Sequence, residues 1–439
     1  MMEKYEHMKD SGYPWMGEIP VHWHDINPKA LFTQRKERAK EGERQLTASQ
    51  QYGVLYQDEY MALTGSRVVV VQKDFDILKH VEAGDFVISM RSFQGGLEYS
   101  PVSGSISSAY VMLIPNEKMV YPPFYKWLLK SSAYIRALQS TTDLVRDGQA
   151  MRYSNFAKVR LLVAPLSEQK AISEYLDEKV DQIDTTITEA KKTIAEYKQW
   201  RAAIITEAVT KGLSQNADEK ACGLEWIDYI PGDWKTEKLK NIFSFGKGLP
   251  ITKDNLMEKG IPVISYGQIH AKINPGTKVV DDLIRYVSED YLTSNPESLV
   301  RRGDILVADT SEDLDGCGNA VYVDQDMSLF AGYHTIILKG KGNRDNKYLS
   351  YLFKTNAWRS QIRSRVTGVK LFSISRKILN HVTVILPPLE EREKIVEMLD
   401  KKCKEIDSII AEKEELVLDL EQYKRSLIYE TVTGKRKVV

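Results

Sequence analysis

The chain contains one long segment twice. The stretch PLSEQKAISEYLDEKVDQIDTTI, which begins at Pro165, returns in altered form as PLEEREKIVEMLDKKCKEIDSII from Pro388, an offset of 388 − 165 = 223 residues. Residues 165–212 align with 388–435 without a gap and share a Pro-Leu start, several isoleucines and aspartates, and a Val-Thr end. A gapless match of this length indicates a duplicated segment, which any fold for this chain must accommodate.

A second repeat opens each half of the chain. The segment GYPWMGEIPVHW from Gly12 is matched by GLEWIDYIPGDW from Gly223, an offset of 223 − 12 = 211 residues. Glycine, tryptophan, Ile-Pro and a second tryptophan occupy the same places in both. Because both signatures occur twice and in the same order, the whole chain is predicted to be a tandem duplication.

Between these signatures, the apolar runs and breakers follow a similar order in both halves. In the first half RVVVV, DFVISM, AYVMLI and VRLLVAP are predicted strands, and PPFYKWLLKSSAYIRALQS is a predicted helix. In the second half IPVISY, DILVAD, VYVD, HTIILK and HVTVILPP are predicted strands, and NKYLSYLFKTNAWRSQIRSRV is the corresponding helix. Each half is therefore predicted to be a mixed α/β (α+β) domain followed by a long helix. The predicted boundaries are 1–164 for the first domain, 165–212 for its helix, 213–387 for the second domain, and 388–439 for the last helix and a basic tail.

The repeated helix carries a heptad pattern. Apolar or small residues step by alternating four and three positions, the spacing of a coiled-coil seam, while Glu, Lys, Asp and Gln occupy the other faces. We predict that the two helices pair with each other as an antiparallel coiled coil, the alternative being that each packs on its own domain. The principal seam positions are Leu176, Val180, Ile183, Ile187 and Ile194 in the first helix and Leu399, Cys403, Ile406, Ile410, Val417 and Leu420 in the second.

Composition narrows the class of protein. The 439 residues, 42% of them hydrophobic, suffice for at least two domain cores. The N-terminal segment is charged and no run of about 18 apolar residues occurs, so we expect a cytoplasmic protein without membrane association. The three cysteines are far apart, which predicts neither a disulfide framework nor a zinc module. Lys and Arg together equal Asp and Glu at 61 each, so any nucleic-acid binding requires locally basic surfaces.

Catalytic motifs are incomplete throughout the chain. YPPF from Tyr121 resembles an amino-methyltransferase motif but lacks its first carbonyl-bearing residue, and it is predicted to start a helix with proline in the first turn. GKGLPITK from Gly246 lacks phosphate-loop spacing, so we expect a turn or a DNA-backbone contact. DTSEDLDGCGN from Asp309 lacks the last glutamate of a calcium loop and is predicted to be a turn between strands. His22 and His24 have no further metal ligand nearby in sequence.

The two signatures, each present twice, resemble those of the specificity (S) subunits of type I restriction-modification systems, over the full chain. PLSEQKAI and PLEEREKI are similar to the family's central and distal conserved regions, with Arg392 replacing the usual glutamine that the first copy has as Gln169. The resemblance implies two target-recognition domains that read the two halves of an interrupted double-stranded DNA sequence. It further implies assembly with two methyltransferase subunits, and in the full complex with two restriction-translocase subunits. S-adenosylmethionine, ATP and Mg would be bound by those partners, and this chain would bind no cofactor or metal and have no catalytic residues.

DNA contacts are expected from basic and amide side chains exposed on loops, with further contacts to phosphates that fix the register. Each candidate could instead be an ordinary solvated side chain. The alternatives for the whole chain are a stand-alone sequence-specific DNA-binding protein and a structural coiled-coil spacer, although the spacer does not explain two divergent α/β domains. The predicted DNA-contacting residues are Arg91, Ser92, Gln94, Arg146, Gln149, Arg152 and Tyr153 in the first domain, and Lys247, Lys253, Tyr266, Gln268, Arg363, Arg365 and Lys370 in the second.

Overall fold

The chain folds into two compact units that are not continuous in sequence. The computed structural model describes residues 4–71, 77–88, 97–141, 152–214, 218–341, 346–368 and 370–438. Unit 1 combines Met1–Lys192 with Lys413–Val439, and unit 2 is Thr193–Glu412. Each unit therefore contains one α/β region, the beginning of the helix that follows it, and the end of the other long helix.

Unit 1 is built from short strands around two helices that are packed on a sheet. Its strands are β1 (Met8–Asp10), β2 (Glu18–Pro20), β3 (His24–Ile26), β4 (Phe32–Arg35), β5 (Leu46–Ser49), β6 (Gly53–Tyr56), β7 (Lys79–Val81), β8 (Phe86–Ile88), β9 (Leu97–Tyr99), β10 (Gly104–Ile106), β11 (Val111–Pro115) and β12 (Leu161–Val163). Its helices are α1 (Pro28–Leu31), α2 (Gln57–Thr64), α3 (Pro122–Lys130), α4 (Ser132–Gln139), α5 (Tyr153–Phe156) and the first part of α6 (Leu166–Lys211).

The central sheet of unit 1 is antiparallel, in the order β4-β11-β8-β9. Its core is aromatic, since the ring of Phe32 contacts Phe86, Tyr125 and Phe156 edge-on at 5.4–5.7 Å between centroids. The predicted helix over residues 122–140 is two helices, because the Ser131 side chain caps a new helix by accepting from Tyr134 N.

The prediction of a strand at RVVVV was wrong. Residues 67–71 have no regular secondary structure, and Val69 is 85% exposed. A run of β-branched residues favours a strand only where it can pack on a sheet face, which this segment does not do.

Unit 2 has a similar set of elements. Its strands are β13 (Glu219–Leu224), β14 (Ile227–Pro231), β15 (Lys235–Lys238), β16 (Phe243–Lys247), β17 (Ile261–Ile264), β18 (Arg285–Val287), β19 (Leu299–Val300), β20 (Ile305–Ala308), β21 (Thr310–Ser311), β22 (Ala320–Tyr322), β23 (Leu329–Ala331), β24 (Thr335–Gly340), β25 (Phe372–Ser373) and β26 (Thr383–Leu386). Its helices are α7 (Leu239–Ile242), α8 (Tyr266–Ile269), α9 (Tyr291–Ser294), α10 (Lys347–Leu352), α11 (Asn356–Arg363), α12 (Arg376–His381) and the first part of α13 (Leu389–Val432), with 3-10 turns at Lys253–Asn255, Asp281–Leu283 and Pro296–Ser298.

The central sheets of the two units correspond. In unit 2 the antiparallel order is β16-β24-β20-β22, which matches β4-β11-β8-β9 of unit 1 in the order along the chain. The additional parts differ. Unit 2 has a second four-stranded sheet, β18-β17-β23-β19, with a parallel β17–β23 pair, whereas unit 1 has the two-stranded pairs β5-β6 and β7-β10. The duplicated frame is therefore retained and the parts attached to it have diverged.

The long helices contact each other within each unit. In unit 1 the ammonium group of Lys424 lies 2.6 Å from the carboxylate of Asp184. In unit 2 Arg201 pairs with Asp407, the residue that corresponds to Asp184 at the offset of 223. The predicted seam residues are buried or half-buried, and the charged residues between them are mostly exposed.

One cluster is repeated where each long helix begins. The indole N–H of Trp23 donates to Glu168 at 3.0 Å in unit 1, and that of Trp234 donates to Glu391 at 2.9 Å in unit 2.

Glycine at position 212, which ends α6 with φ of +77°, packs against Trp234, where an added Cβ would lie 3.2 Å from the indole. This left-handed cap requires glycine both for its backbone and for its space.

Candidate nucleic-acid interface

Two of the predicted DNA-contacting residues in unit 1 lie within the described part of the chain. Arg152 is exposed at the N-cap of α5. The hydroxyl group of Tyr153 donates to Phe32 O at 3.0 Å, and this hydrogen bond attaches α5 to the sheet. Burial raises the pKa of this phenol. The predicted contacts Arg91, Ser92, Gln94, Arg146 and Gln149 lie outside the described residues.

The glycine-rich stretch of unit 2 places two lysines in solvent. Lys247 ends β16 and is exposed, and the next residue, Gly248, is too close to Gly332 O for any side chain. Lys253 is exposed at the start of a 3-10 turn, whose Thr252 N is held by Asn255 Oδ1 at 2.8 Å. The stretch is a loop after a strand, and both ammonium groups are accessible to a phosphate.

The residues Tyr266 and Gln268 lie in the short helix α8. Gln268 Oε1 accepts from Ser265 N at 3.1 Å, so the amide caps the helix. The ring of Tyr266 lies in an aromatic group, with centroids 5.5 Å from Tyr333 and 5.3 Å from His334. The structure therefore assigns a local structural bond to Gln268 and places Tyr266 at a partly exposed aromatic surface.

His334 is a residue that the sequence did not single out. Its φ is +53°, the only positive φ at a non-glycine position among the described residues. Its Nδ1 lies 3.1 Å from Asp309 Oδ1, and its side chain is 56% exposed. Strained and exposed residues of this kind concentrate at binding surfaces. The only sequence signal was its position directly after Tyr333, as the first residue of the predicted strand HTIILK.

A cavity of about 300 Å³ opens beside this aromatic group and is lined by Tyr266, His270 and the turn after β21. The turn contributes Glu312, Asp313 and Asp315, which would repel a phosphate. Carboxylates accept hydrogen bonds from the exocyclic amines of bases. The chemistry of this cavity therefore fits a base edge better than the DNA backbone.

The last three predicted DNA-contacting residues, Arg363, Arg365 and Lys370, differ in how accessible they are to a ligand. Arg363 donates to Asp315 O at 2.9 Å and its side chain is 21% exposed. Arg365 donates to Gln361 O at 2.7 Å and lies 3.8 Å from a carboxylate oxygen of Glu225. Lys370 is exposed. Both arginines thus hold elements of unit 2 together, and of these three only Lys370 is fully open to a ligand.

The structure tests the predictions made for the YPPF motif and for the segment that begins at Asp309. The prediction for YPPF is confirmed, because Tyr121 is the N-cap of α3 and proline occupies its first turn. The segment from Asp309 connects β20 to β22 as predicted, although Thr310–Ser311 within it form the short strand β21. Within the described ranges, no group of three or more His, Cys, Asp or Glu side chains could hold a metal ion. In the same ranges no helix has the length and apolar character needed to cross a membrane.

The fold is that of a mixed α/β protein with two compact units and two long helices. Over residues 231–418 the chain matches the model of the type I restriction modification DNA specificity domain. It is 22% identical over 386 residues to the type I restriction enzyme MjaVIII specificity subunit of Methanocaldococcus jannaschii, covering 87% of this chain and 83% of that protein. It is also 22% identical over 338 residues to the EcoKI specificity subunit of Escherichia coli, covering 74% of this chain and 69% of that one.

Solved structures share the fold. A chain from a study of complex assembly and conformational transition of the type I R-M system superposes with a TM-score of 0.71 at 13% identity, covering 94% of this chain and 98% of that one. The HsdS subunit from Thermoanaerobacter tengcongensis gives 0.54 at 14% identity, covering 95% and 98%. The resemblance predicted from the sequence is confirmed, because the matching domain model and the similar proteins are those of type I restriction-modification specificity subunits.

Proposed function

We propose that this chain selects the DNA sequence on which a type I restriction-modification complex acts, with each unit reading one half of an interrupted site. The observation that carries the proposal is a duplicated frame with unlike attachments. The central sheet order and the Trp–Glu contact recur in both units, whereas the second sheet of unit 2 has no equivalent among the described parts of unit 1. A constant scaffold with different loops suits two different half-sites.

We also propose that α6 and α13 form an antiparallel coiled coil. The two repeated ion pairs support this arrangement, because the residue numbers of both pairs have the same sum: 184 + 424 = 608 and 201 + 407 = 608. A constant sum is the signature of antiparallel neighbours at one register. The functional division along the chain then remains 1–164 and 213–387 for target recognition, and 165–212 and 388–439 for the helical frame.

For base and phosphate contacts we favour the candidates that are exposed: Arg152 in unit 1, and Lys247, Lys253 and Lys370 in unit 2. Tyr266, with the neighbouring His334, supplies an aromatic surface for base contact. Tyr153, Gln268, Arg363 and Arg365 are already engaged in hydrogen bonds, and we propose that they shape the surface rather than read the sequence.

The chemistry is proposed to reside in partner subunits. Two methyltransferase subunits would bind S-adenosylmethionine, and two restriction-translocase subunits would use ATP and Mg. This chain would direct them to the site without catalysing either reaction. The incomplete YPPF motif supports this division, since Tyr121 has no carbonyl oxygen that could accept a hydrogen from a target amine.

The test is methyl transfer to duplex DNA with S-adenosylmethionine. We expect none from the purified chain alone, and transfer at one interrupted motif after addition of its methyltransferase partner. In the assembled enzyme, exchanging residues 25–160 for those of a relative should change one half-site only. Methylation by the chain alone, or a change in both half-sites, would contradict the proposal.

A further inference from the structure

Unit 1 contains a large cleft that none of the predicted contacts uses. Its volume is about 840 Å³, and it lies between the opening signature, helix α4, the segment before β12 and the last turns of α13. Trp15 lines it and packs edge-on against the buried Tyr134, with 5.4 Å between ring centroids. One side of the cleft is therefore formed by packed aromatic side chains.

The charge of the cleft is of one sign. Arg136, Lys158, Arg160 and Arg425 line it, and no Asp or Glu occurs among its described lining residues. Arg160 is neutralised by an ion pair with Asp25. Arg136, Lys158 and Arg425 are exposed, and within the described chain none of them forms an ion pair. A cleft lined by unopposed cations has a positive potential, which attracts polyanions.

These cations are attached to three separate elements. Arg136 is on α4, Lys158 follows α5, and Arg425 is on α13. A chain of phosphates presents charges at regular intervals and can contact cations that come from separate elements. Arg152, an exposed candidate for base contact, lies only six residues before Lys158, on the other side of α5. The cleft is thus close in sequence to a predicted reading position.

A comparison of the cleft residues with their counterparts in the second copy favours DNA over a protein partner as the ligand of the cleft. At the offset of 223 residues, Lys158, Arg160 and Arg425 correspond to His381, Thr383 and Ala202. Arg136 lies five residues after Ser131, the N-cap of α4, and the residue five positions after Thr355, the N-cap of α11, is Ser360. Two copies of one partner subunit would require the same docking residues in both units. A contact found in one unit alone fits a ligand that differs between the two halves, as an interrupted DNA site does.

We propose that this cleft binds the phosphate backbone of double-stranded DNA next to the half-site that unit 1 reads. This inference rests on the proposed function and adds a second, sequence-independent contact to it. Phosphate contacts fix the register of a protein on DNA but carry no base information. The cleft should therefore contribute affinity and salt dependence, and leave the recognised sequence unchanged.

The experiment compares two triple variants of the full chain. The cleft variant is Arg136→Gln, Lys158→Gln and Arg425→Gln, and the matched control is Lys29→Gln, Arg67→Gln and Lys118→Gln. The control removes the same formal charge from exposed positions of unit 1 outside the cleft. Binding to a duplex of about 30 base pairs is measured from roughly 50 to 200 mM salt, the range in which counterion release is resolved. Thermal unfolding of both variants checks their folding.

Three lost phosphate contacts should reduce the slope of log K against log salt by about 2.7, at about 0.9 per contact, while the control retains the wild-type slope. In cells with the methyltransferase partner, the methylated motif should be the same for wild type and cleft variant. An unchanged slope in a folded cleft variant would overturn the inference, as would loss of co-purification with the methyltransferase at unchanged DNA affinity. Failure of the wild-type chain and its assembled complex to bind any duplex would instead overturn the proposed function, and the inference with it.

Discussion

Glu168 contacts three side chains from the first 23 residues of the chain. Its carboxylate accepts from Tyr5 at 2.7 Å and from Trp23 at 3.0 Å, and it lies 2.7 Å from His22 Nε2. Burial alone would raise the pKa of this carboxyl, but the three hydrogen bonds outweigh it and the pKa falls below its ordinary value of 4.5. The ionised group therefore joins the start of α6 to the start of the chain.

We expect Glu168→Gln to lower the free energy of unfolding by about 1–3 kcal/mol at pH 7, because the amide cannot satisfy three partners. A carboxyl with a depressed pKa stabilises the fold above its unfolded pKa, and this contribution disappears as pH falls through the folded pKa. The difference from wild type should therefore shrink below about pH 4. Urea unfolding measures it, with the exposed Glu174→Gln as control. A difference that is independent of pH would indicate that packing, not charge, is responsible.

The next residue shows how the two copies diverged. Gln169 is fully buried, donates to Ala164 O at 2.8 Å and Met119 O at 2.9 Å, and accepts from Tyr121 N at 2.8 Å. Its counterpart Arg392 donates to Pro387 O at 2.9 Å, the equivalent of the Ala164 bond. The glutamine-to-arginine difference thus keeps one hydrogen bond.

The two reverse substitutions should consequently lower the free energy of unfolding by different amounts. Gln169→Arg places a cation in a buried site and should cost more than about 2 kcal/mol. Arg392→Gln can retain the bond to the carbonyl and should cost less than about 1 kcal/mol. Thermal or urea unfolding of both variants provides the comparison, and equal costs would show that the two environments are the same despite their different residues.

At the scale of elements, the proposed antiparallel register of α6 and α13 can be tested at the ion pair between Asp184 and Lys424. Asp184→Lys or Lys424→Asp alone would place like charges together in unit 1, and the double exchange should restore the pair. Because both side chains are partly exposed, we expect a coupling of about 0.2–1 kcal/mol in a double-mutant cycle. Asp181→Lys combined with Lys424→Asp is the control, since Asp181 is exposed on the same helix. Equal coupling in the control would argue against antiparallel neighbours at this register.

At the scale of the whole molecule, the two ion pairs are separated by equal lengths of both helices, 201 − 184 = 17 and 424 − 407 = 17 residues. Seven residues inserted after Ala195 and seven after Lys413 would preserve both pairs and the heptad phase. The insertion adds about 10 Å, or at most about three base pairs of DNA. We expect unchanged half-sites and a gap that is longer by about one to three base pairs.

The measurement is the methylated motif in cells that also contain the methyltransferase partner. Insertion into α6 alone cannot keep both ion pairs and should weaken assembly, and two residues in each helix should disrupt the seam. An active paired variant with the original gap would show that helix length does not set the spacing.

The sequence by itself determined the duplication, the long helices and most central strands, because these depend on local periodicity and on direct repetition. The heptad spacing is a property of each helix alone, and the strands of residues 305–308 and 335–340 follow from buried apolar runs. The break at Ser131 and the exposed RVVVV segment were not predictable in this way. Capping and burial depend on which neighbours the folded chain provides.

Tertiary structure decided which candidate side chains are available and which are already used. Arg363 and Lys370 are both basic residues near the end of the second predicted domain helix, yet only Lys370 is open, because Arg363 donates to Asp315 O in a distant turn. The strained conformation of His334 and the basic cleft also result from tertiary packing and could not be predicted from the local sequence. Arg136, Lys158 and Arg425 are far apart along the chain, and only the return of α13 to unit 1 brings them to one surface. Local pattern contains no information about such long-range proximity, which the packing of non-adjacent segments alone creates.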